Sequence, residues 1–511
     1  MTRYLYLPVL VMLMTLSLSA QTPVRKGPAP AEEIAKAREA VTSNMDNLKA
    51  HTTYIYALGL DNPLLEPQYQ QWMKEYPSHL NIPYALGLAF HGAAMPESRS
   101  YLLKAAELAP KNTRILNMLS DDATRSGNDS LSQEYMKRAM LADTSNATHV
   151  GAYLLQFRES GEKDYPQKVF DYMQCFPGHR MGATLLYWMA HTADKSDRIK
   201  YLELLRTTFP PSKYSMSESG TTELLDTYLQ TDPEKVLKLI AELNENDTWQ
   251  SRQLAASALV KVKTLEQQHR YREAVAELDQ VKLPKYSFTG DFLPLKRAAL
   301  LDKAGDVKAA YDSIAVKFAK IPTDELYDAL VRYGHRLGKN KAAIDKEMNA
   351  LRYASARAAY PFELGLYSSN ASLRLQDLKG KVVLLTFWYP DCSPCRAEFP
   401  HFQAVMNKYN KEEVAYIGVN VYPAQDNYVQ TFMTNSKYSF TPLRGTAEFA
   451  KEHFGAVGMP SNFVLDKEGN IIFSNFTIGH NNHRTLEWMI SSLLDRESAG
   501  YTNRLSYPCC M

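Results

Sequence analysis

The chain has 511 residues, with 58 basic and 56 acidic side chains and 45% hydrophobic residues. At roughly 100–200 residues per domain this is a multidomain protein. Near-cancelled charge, with no basic run and no Gly-rich phosphate loop, argues against nucleic acid or an acidic substrate. Five cysteines in so long a chain exclude a disulfide scaffold, so packed cores must supply the stability.

Residues 1–20 read as a signal peptide. Arg3 is followed by the apolar run Leu5–Leu18, then small Ser19 and Ala20, then polar sequence. The run is short for a membrane span of about 20 residues, although an uncleaved anchor is the alternative. No Cys stands at the expected cleavage point for a bacterial lipid anchor, and no later segment is apolar enough to span. The mature chain is therefore expected to lack a membrane span and to be exported, to the periplasm or cell envelope of a bacterium. Residues 21–32 read as a linker.

Residues 33–354 carry helical spacing, as in SRSYLLKAAELA (98–109). Helix stops fall at Pro77, Pro110, Asp143, Pro177 and Pro210, separated by 33, 33, 34 and 33 residues. Proline cannot continue a helix, so each marks the turn between helical pairs. Gly127 lies between the two helices of the best copy, 110–142, where a turn is needed. A period near 34 with two helices per unit resembles tetratricopeptide repeats, although the aromatic and small-residue positions are degenerate and the period fades after about 215. An irregular helical array is the alternative. Cys175, beside Phe176, is expected in the core of this array.

Texture changes near 355. LRYASARAAY still reads as helix and PFELGLYSSN breaks it. The continuous apolar run 381–389 fits a strand buried on both faces. After it come a helix (396–409), a strand (414–421), helices at 426–436 and 446–454, a hairpin (461–476) turning at 466–469, and a helix at 485–495. The segment 355–497 is assigned as one α/β domain, and 498–511 as an irregular tail.

The chemical signal is FWYPDCSPCRAEFP, 387–400, a buried strand running into a Cys pair at a helix start. Helix N-termini carry unpaired N–H groups and partial positive charge, which stabilise a thiolate. Cys392 is expected to be exposed there as the nucleophile. Cys395, three residues on, is placed to resolve a mixed disulfide. Cys-x-x-Cys is also half a zinc site, but two further ligands at metal spacing are missing. His79, His91, His401 and His453 are scattered, and the adjacent Cys509 and Cys510 are poor partners for one tetrahedral ion, though they leave open a redox-tail role. A structural disulfide without turnover is a further alternative. A peroxiredoxin would need Thr where Tyr389 stands.

These residues resemble the TlpA/ResA-like branch of the thioredoxin superfamily over about 361–495. LKGKVVLLTFWYPDCSPCRAEFP fits the branch's first signature and GAVGMPSNFVLDKEGNI (455–471) its second. This resemblance implies an α/β thioredoxin-fold domain, so the expected architecture is an all-α helical repeat (tetratricopeptide-like) domain followed by an α/β thioredoxin-fold domain. It implies Cys392, Cys395 and Glu398 as catalytic residues, Glu398 moving protons, with Thr386 where thioredoxins proper carry a buried Asp. It implies substrate contacts from Trp388, Asp391, Met459 and Pro460. Pro460 would be a cis-proline presenting the Met459 backbone to a peptide. Asp391 and Met459 depart from the usual Trp and Thr, and a carboxylate beside Cys392 disfavours its thiolate. No cofactor or metal is implied. The partners implied are client proteins carrying disulfides or thiols and a membrane or soluble dithiol donor. With Pro394 between the cysteines the expected activity is disulfide reduction, the repeats docking the client. A repeat-based adaptor with a structural thioredoxin domain is the alternative.

Overall fold

The computed structural model describes residues 28–158, 161–243, 248–284 and 287–494. The signal segment, most of the linker and the tail with Cys509 and Cys510 lie outside these residues. The chain divides into two compact units, Met1–Leu119 and Ser120–Met511.

The first unit is helical: α1 (Ala31–Ser43), α2 (Leu48–Leu58), α3 (Leu65–Glu75), α4 (Asn81–Gly92), α5 (Ser98–Leu108) and the start of α6 (Thr113–Arg125). Val41, Ile55, Leu65, Tyr69 and Leu86 fill its core. His51 is buried among them, with one ring nitrogen on the Tyr69 hydroxyl (3.0 Å) and the other on the Met45 carbonyl (2.9 Å).

The second unit continues the helices: α7 (Asp129–Ala142), α8 (Ala147–Leu155), α9 (Tyr165–Cys175), α10 (Arg180–Thr192), α11 (Lys195–Thr208), α12 (Ser215–Thr231) and α13 (Pro233–Leu243). Then come α14 (Gln250–Gln267), α15 (Tyr271–Leu278), α16 (Phe292–Lys303), α17 (Val307–Lys320), α18 (Asp324–Arg336) and α19 (Lys341–Ala354). The 33-residue spacing has a plain structural counterpart. Helices α3, α5, α7, α9 and α11 stop one or two residues ahead of Pro77, Pro110, Asp143, Pro177 and Pro210, each closing on a residue with φ between −122° and −149°. A residue before proline is pushed out of the helical region, so most of the stops are set by sequence. The core of this array includes Leu186, Leu205, Leu225 and Trp249. Buried Asp226 takes two hydrogen bonds from Arg252, at 2.7 and 3.0 Å. Cys175 is not a core residue: it is exposed at the last position of α9.

The α/β domain begins earlier than the helical reading of 351–360 implies, because α19 ends at Ala354 and β1 (Arg357–Ala358) pairs with the last strand. A small hairpin, β2 (Glu363–Gly365) with β3 (Ser372–Arg374), precedes β4 (Val382–Trp388). Then follow α20 (Ser393–Met406), β5 (Val414–Asn420), α21 (Asp426–Ser436), β6 (Thr441–Arg444), α22 (Ala447–Phe454), β7 (Ser461–Leu465), β8 (Asn470–Ser474) and α23 (His483–Leu494). The six-stranded sheet has the order β1-β8-β7-β4-β5-β6. β4 is parallel to β5 and antiparallel to β7. This is a thioredoxin-fold domain following a helical array.

β4 is wholly buried because both sheet faces are covered. Val382, Leu384 and Trp388 pack with Phe399, Phe402, Phe432 and Leu486. Val383, Leu385 and Phe387 pack with Ala450 and Phe454 of α22. The array reaches the domain through α18: Trp488 of α23 donates to Asp324 (2.7 Å), and its ring lies 4.5 Å from that of Tyr327.

Gly418, in the middle of β5, is required by packing rather than by backbone conformation. A Cβ there would lie 2.6 Å from the Phe440 ring and 2.9 Å from Trp388 Nε1. Gly418→Ala should therefore destabilise the domain by about 1–3 kcal/mol, the usual cost of overpacking a core, read as a lower urea midpoint with unchanged slope.

Candidate active site

Strand β4 delivers the chain into the turn Tyr389–Cys392, and α20 starts at Ser393. Cys392 is the N-cap of α20: its Sγ accepts the backbone N–H of Cys395 at 3.2 Å, as a Ser or Asp oxygen does at other helix starts. Cys392 and Cys395 are joined as a disulfide. Cys392 is not exposed as the sequence led us to expect. It is 1% accessible and Cys395 0%, both within the cluster that holds Trp388 and Phe399. The reason lies in the turn, where the Cys392 N–H bonds the Tyr389 carbonyl (3.0 Å) and folds the sulfur inward, with Tyr389 and Met459 packed against the cluster.

Glu398 sits one turn beyond Cys395 on α20 and is buried. Its Oε2 accepts from Asn462 Nδ2 and its Oε1 from the Ile478 N–H, each at 2.8 Å. Burial pushes the Glu398 carboxyl up to about 7, against the pull of those two hydrogen bonds. Thr386 donates its hydroxyl to Asn462 Oδ1 (2.8 Å), and Asn462 also donates to the Phe476 carbonyl (3.1 Å). The buried chain Thr386–Asn462–Glu398 orients the acid. Asn462, two residues after Pro460, escaped the sequence reading; the only signal for it was a polar residue at the start of an apolar strand.

The Met459–Pro460 peptide is cis, and both residues are half-buried. Pro460 immediately precedes β7, whose Ser461 faces Phe387 of β4, so the two loops meet at the same end of the sheet. Val457, three residues before Pro460, is 87% exposed. Asp391 is exposed, and its N–H donates to Gln425 Oε1 (2.9 Å). Trp388 does not offer its side chain to a substrate. It is 0% accessible, with its ring 4.9 Å from that of Phe432 and 5.1 Å from that of Phe440. As the last residue of a strand covered on both faces, it belongs to the core.

His401 is less isolated than its sequence position implies: its Nδ1 lies 2.9 Å from Nε2 of His483. Among the described residues no group of three or more His, Cys, Asp or Glu side chains is arranged to hold a metal ion. No helix among them is long and apolar enough to cross a membrane.

Residues 356–474 match the AhpC/TSA family. The thiol-disulfide oxidoreductase ResA of Bacillus thuringiensis is 29% identical over 100 residues, which are 20% of this chain and 57% of that protein. The thioredoxin-like protein YneN of Bacillus subtilis is 32% identical over 111 residues, 22% of this chain and 64% of that protein. Among solved structures, the thioredoxin domain of a thiol-disulfide oxidoreductase from Bacteroides vulgatus is 23% identical, with a TM-score of 0.24 and coverage of 26% of this chain and 96% of that one. The C-terminal domain is thus similar to the AhpC/TSA family, and the curated relatives that it matches include a thiol-disulfide oxidoreductase and a thioredoxin-like protein. The chain spans between 57% and 64% of the length of those two curated relatives.

The acid gives a pH signature. An unfolded Glu loses its proton near 4.5, whereas folded Glu398 holds it to about 7. Stability from this group is full below pH 4.5 and is lost as pH rises through 7, about 3 kcal/mol in all. Glu398→Gln cannot titrate. The stability of the oxidised wild type relative to this variant should therefore fall by about that amount from pH 4.5 to 8 in urea unfolding. Parallel pH profiles would contradict the assignment.

Proposed function

We propose that the protein is an exported thiol–disulfide oxidoreductase that reduces disulfides in client proteins of a bacterial periplasm or cell envelope. The observation that carries this reading is the Cys392–Cys395 disulfide at the N-terminus of α20, with buried Glu398 one turn away. In the reduced enzyme the Cys392 thiolate attacks one sulfur of the client disulfide. The client S–S bond breaks, a mixed disulfide forms, and the departing sulfur takes up a proton. Cys395 passes its proton to Glu398 and attacks Cys392 Sγ. The second client sulfur leaves as thiolate, and the Cys392–Cys395 bond closes. Two electrons have passed to the client, and a dithiol donor must return them.

A carboxyl with a pKa near 7 suits both directions of this proton transfer, because it accepts and releases protons at neutral pH. Met459, Pro460 and exposed Val457 form the rim assigned to the client peptide. Pro394 between the cysteines supports reduction over oxidation. The repeats are assigned to client docking, since stacked helical pairs offer extended surfaces for a partner. Export rests on the Leu5–Leu18 run and its polar flanks.

Cys395→Ser removes the resolving thiol, so a mixed disulfide between Cys392 and a client should accumulate. Non-reducing gels and mass spectrometry of the trapped adduct read this directly. Cys392→Ser should trap nothing. An adduct forming equally well through Cys395 would reverse the two roles.

A further inference from the structure

The helical array touches the Cys pair's immediate neighbours. Asp391 precedes Cys392, and Arg396 follows Cys395. The turn between α6 and α7 brings one opposite charge to each. Arg125 Nε donates to Asp391 Oδ2 at 3.1 Å, and Arg396 donates to Asp129 Oδ1 at 2.7 Å. The turn is seated closely. Tyr428 of α21 donates to buried Asp122 (2.9 Å), and Asn435 donates to the Ser126 carbonyl (2.7 Å). Gly127, with φ of +69°, lies so near that a Cβ would sit 2.9 Å from the Phe432 carbonyl oxygen. The Arg125 side chain is 13% exposed and that of Asp391 38%. Burial alone would lower the Arg125 pKa, yet the Asp391 charge holds it above the ordinary value.

Given the exchange reaction proposed above, we infer that Arg125, carried by the helical array, is a positioning residue for Cys392, its cation offsetting the Asp391 carboxylate that would otherwise disfavour the thiolate. The charged groups around the sulfur pair are Asp391, Arg396 and Glu398 from its own loop and helix. From α6 and α7 come Arg125, Asp129 and Asp121, the last acting on Arg125. Tyr389, Tyr428 and Tyr438 are adjoining titratable hydroxyls; Tyr428 also acts on Arg125, and Tyr438 feels both Asp129 and Arg396. Of these, Arg125 is the cation bonded to the carboxylate next to the nucleophile. Thiol acidity in this protein would thus depend on a part of the chain more than 260 residues away in sequence.

The test is the pH dependence of iodoacetamide alkylation at Cys392 in the reduced full chain. Arg125→Gln should move the midpoint to higher pH and slow alkylation at pH 7 about three- to tenfold. Asp391→Asn should move it the other way. The double variant should return to within about twofold of wild type, and Arg125→Lys should keep most of the wild-type rate. A purely structural role for Arg125 would expose the sulfur and raise the plateau rate without moving the midpoint, and that result would overturn the inference. An unchanged profile in Arg125→Gln would overturn it as well. The midpoint requires no turnover. Failure of Cys392 to exchange with disulfides would therefore count against the proposed function and leave this measurement readable.

Discussion

A helix must satisfy its first backbone amides, and in α20 a sulfur does so. The 3.2 Å contact from the Cys395 N–H to Cys392 Sγ joins the end of a buried strand to the start of a helix. It puts the Cys392 sulfur where the helix dipole favours negative charge. Much else follows from that placement. β4 must be apolar on both faces to hold the helix start inside the domain, and Glu398 comes one turn later on the same helix. The chain Thr386–Asn462–Glu398 then runs from β4 through β7 to α20, so acid, sulfur pair and sheet form one packed assembly.

Burial has two consequences here. It raises the Glu398 carboxyl to about 7, which would suit the group to the proposed proton transfer at neutral pH. It also covers Cys392, with Tyr389 and Met459 packed against the cluster that holds it. Asp391 alone would oppose the thiolate, but it is paired with Arg125.

The strand β4, the helix α21 and the hairpin of β7 and β8 were legible because apolar run, period and turn chemistry agreed. The stops of α3, α5, α9 and α11 were legible because a proline follows each closely. β6 was not: it has four residues, contains Pro442, and pairs on one side with β5. A proline in an apparent loop argues against a strand, except at an edge, where it is tolerated. The exposure of Cys392 and the placing of Trp388 were misread because motif spacing says nothing of how far a turn folds inward. Arg125 was invisible for a deeper reason. Its meaning depends on a partner 266 positions away, and only the tertiary fold brings the two together.

The central claim is that Cys392 and Cys395 form a reversible two-electron pair that works as a reductant. The direct measurement is equilibration of the purified full chain with glutathione buffers of graded potential, reading the thiol content of those two cysteines by mass spectrometry. The account requires a single two-electron transition nearer to about −270 mV than to about −120 mV. A midpoint above roughly −180 mV would contradict reduction as the working direction. Cysteines that stay oxidised or reduced across the whole range would contradict the exchange itself.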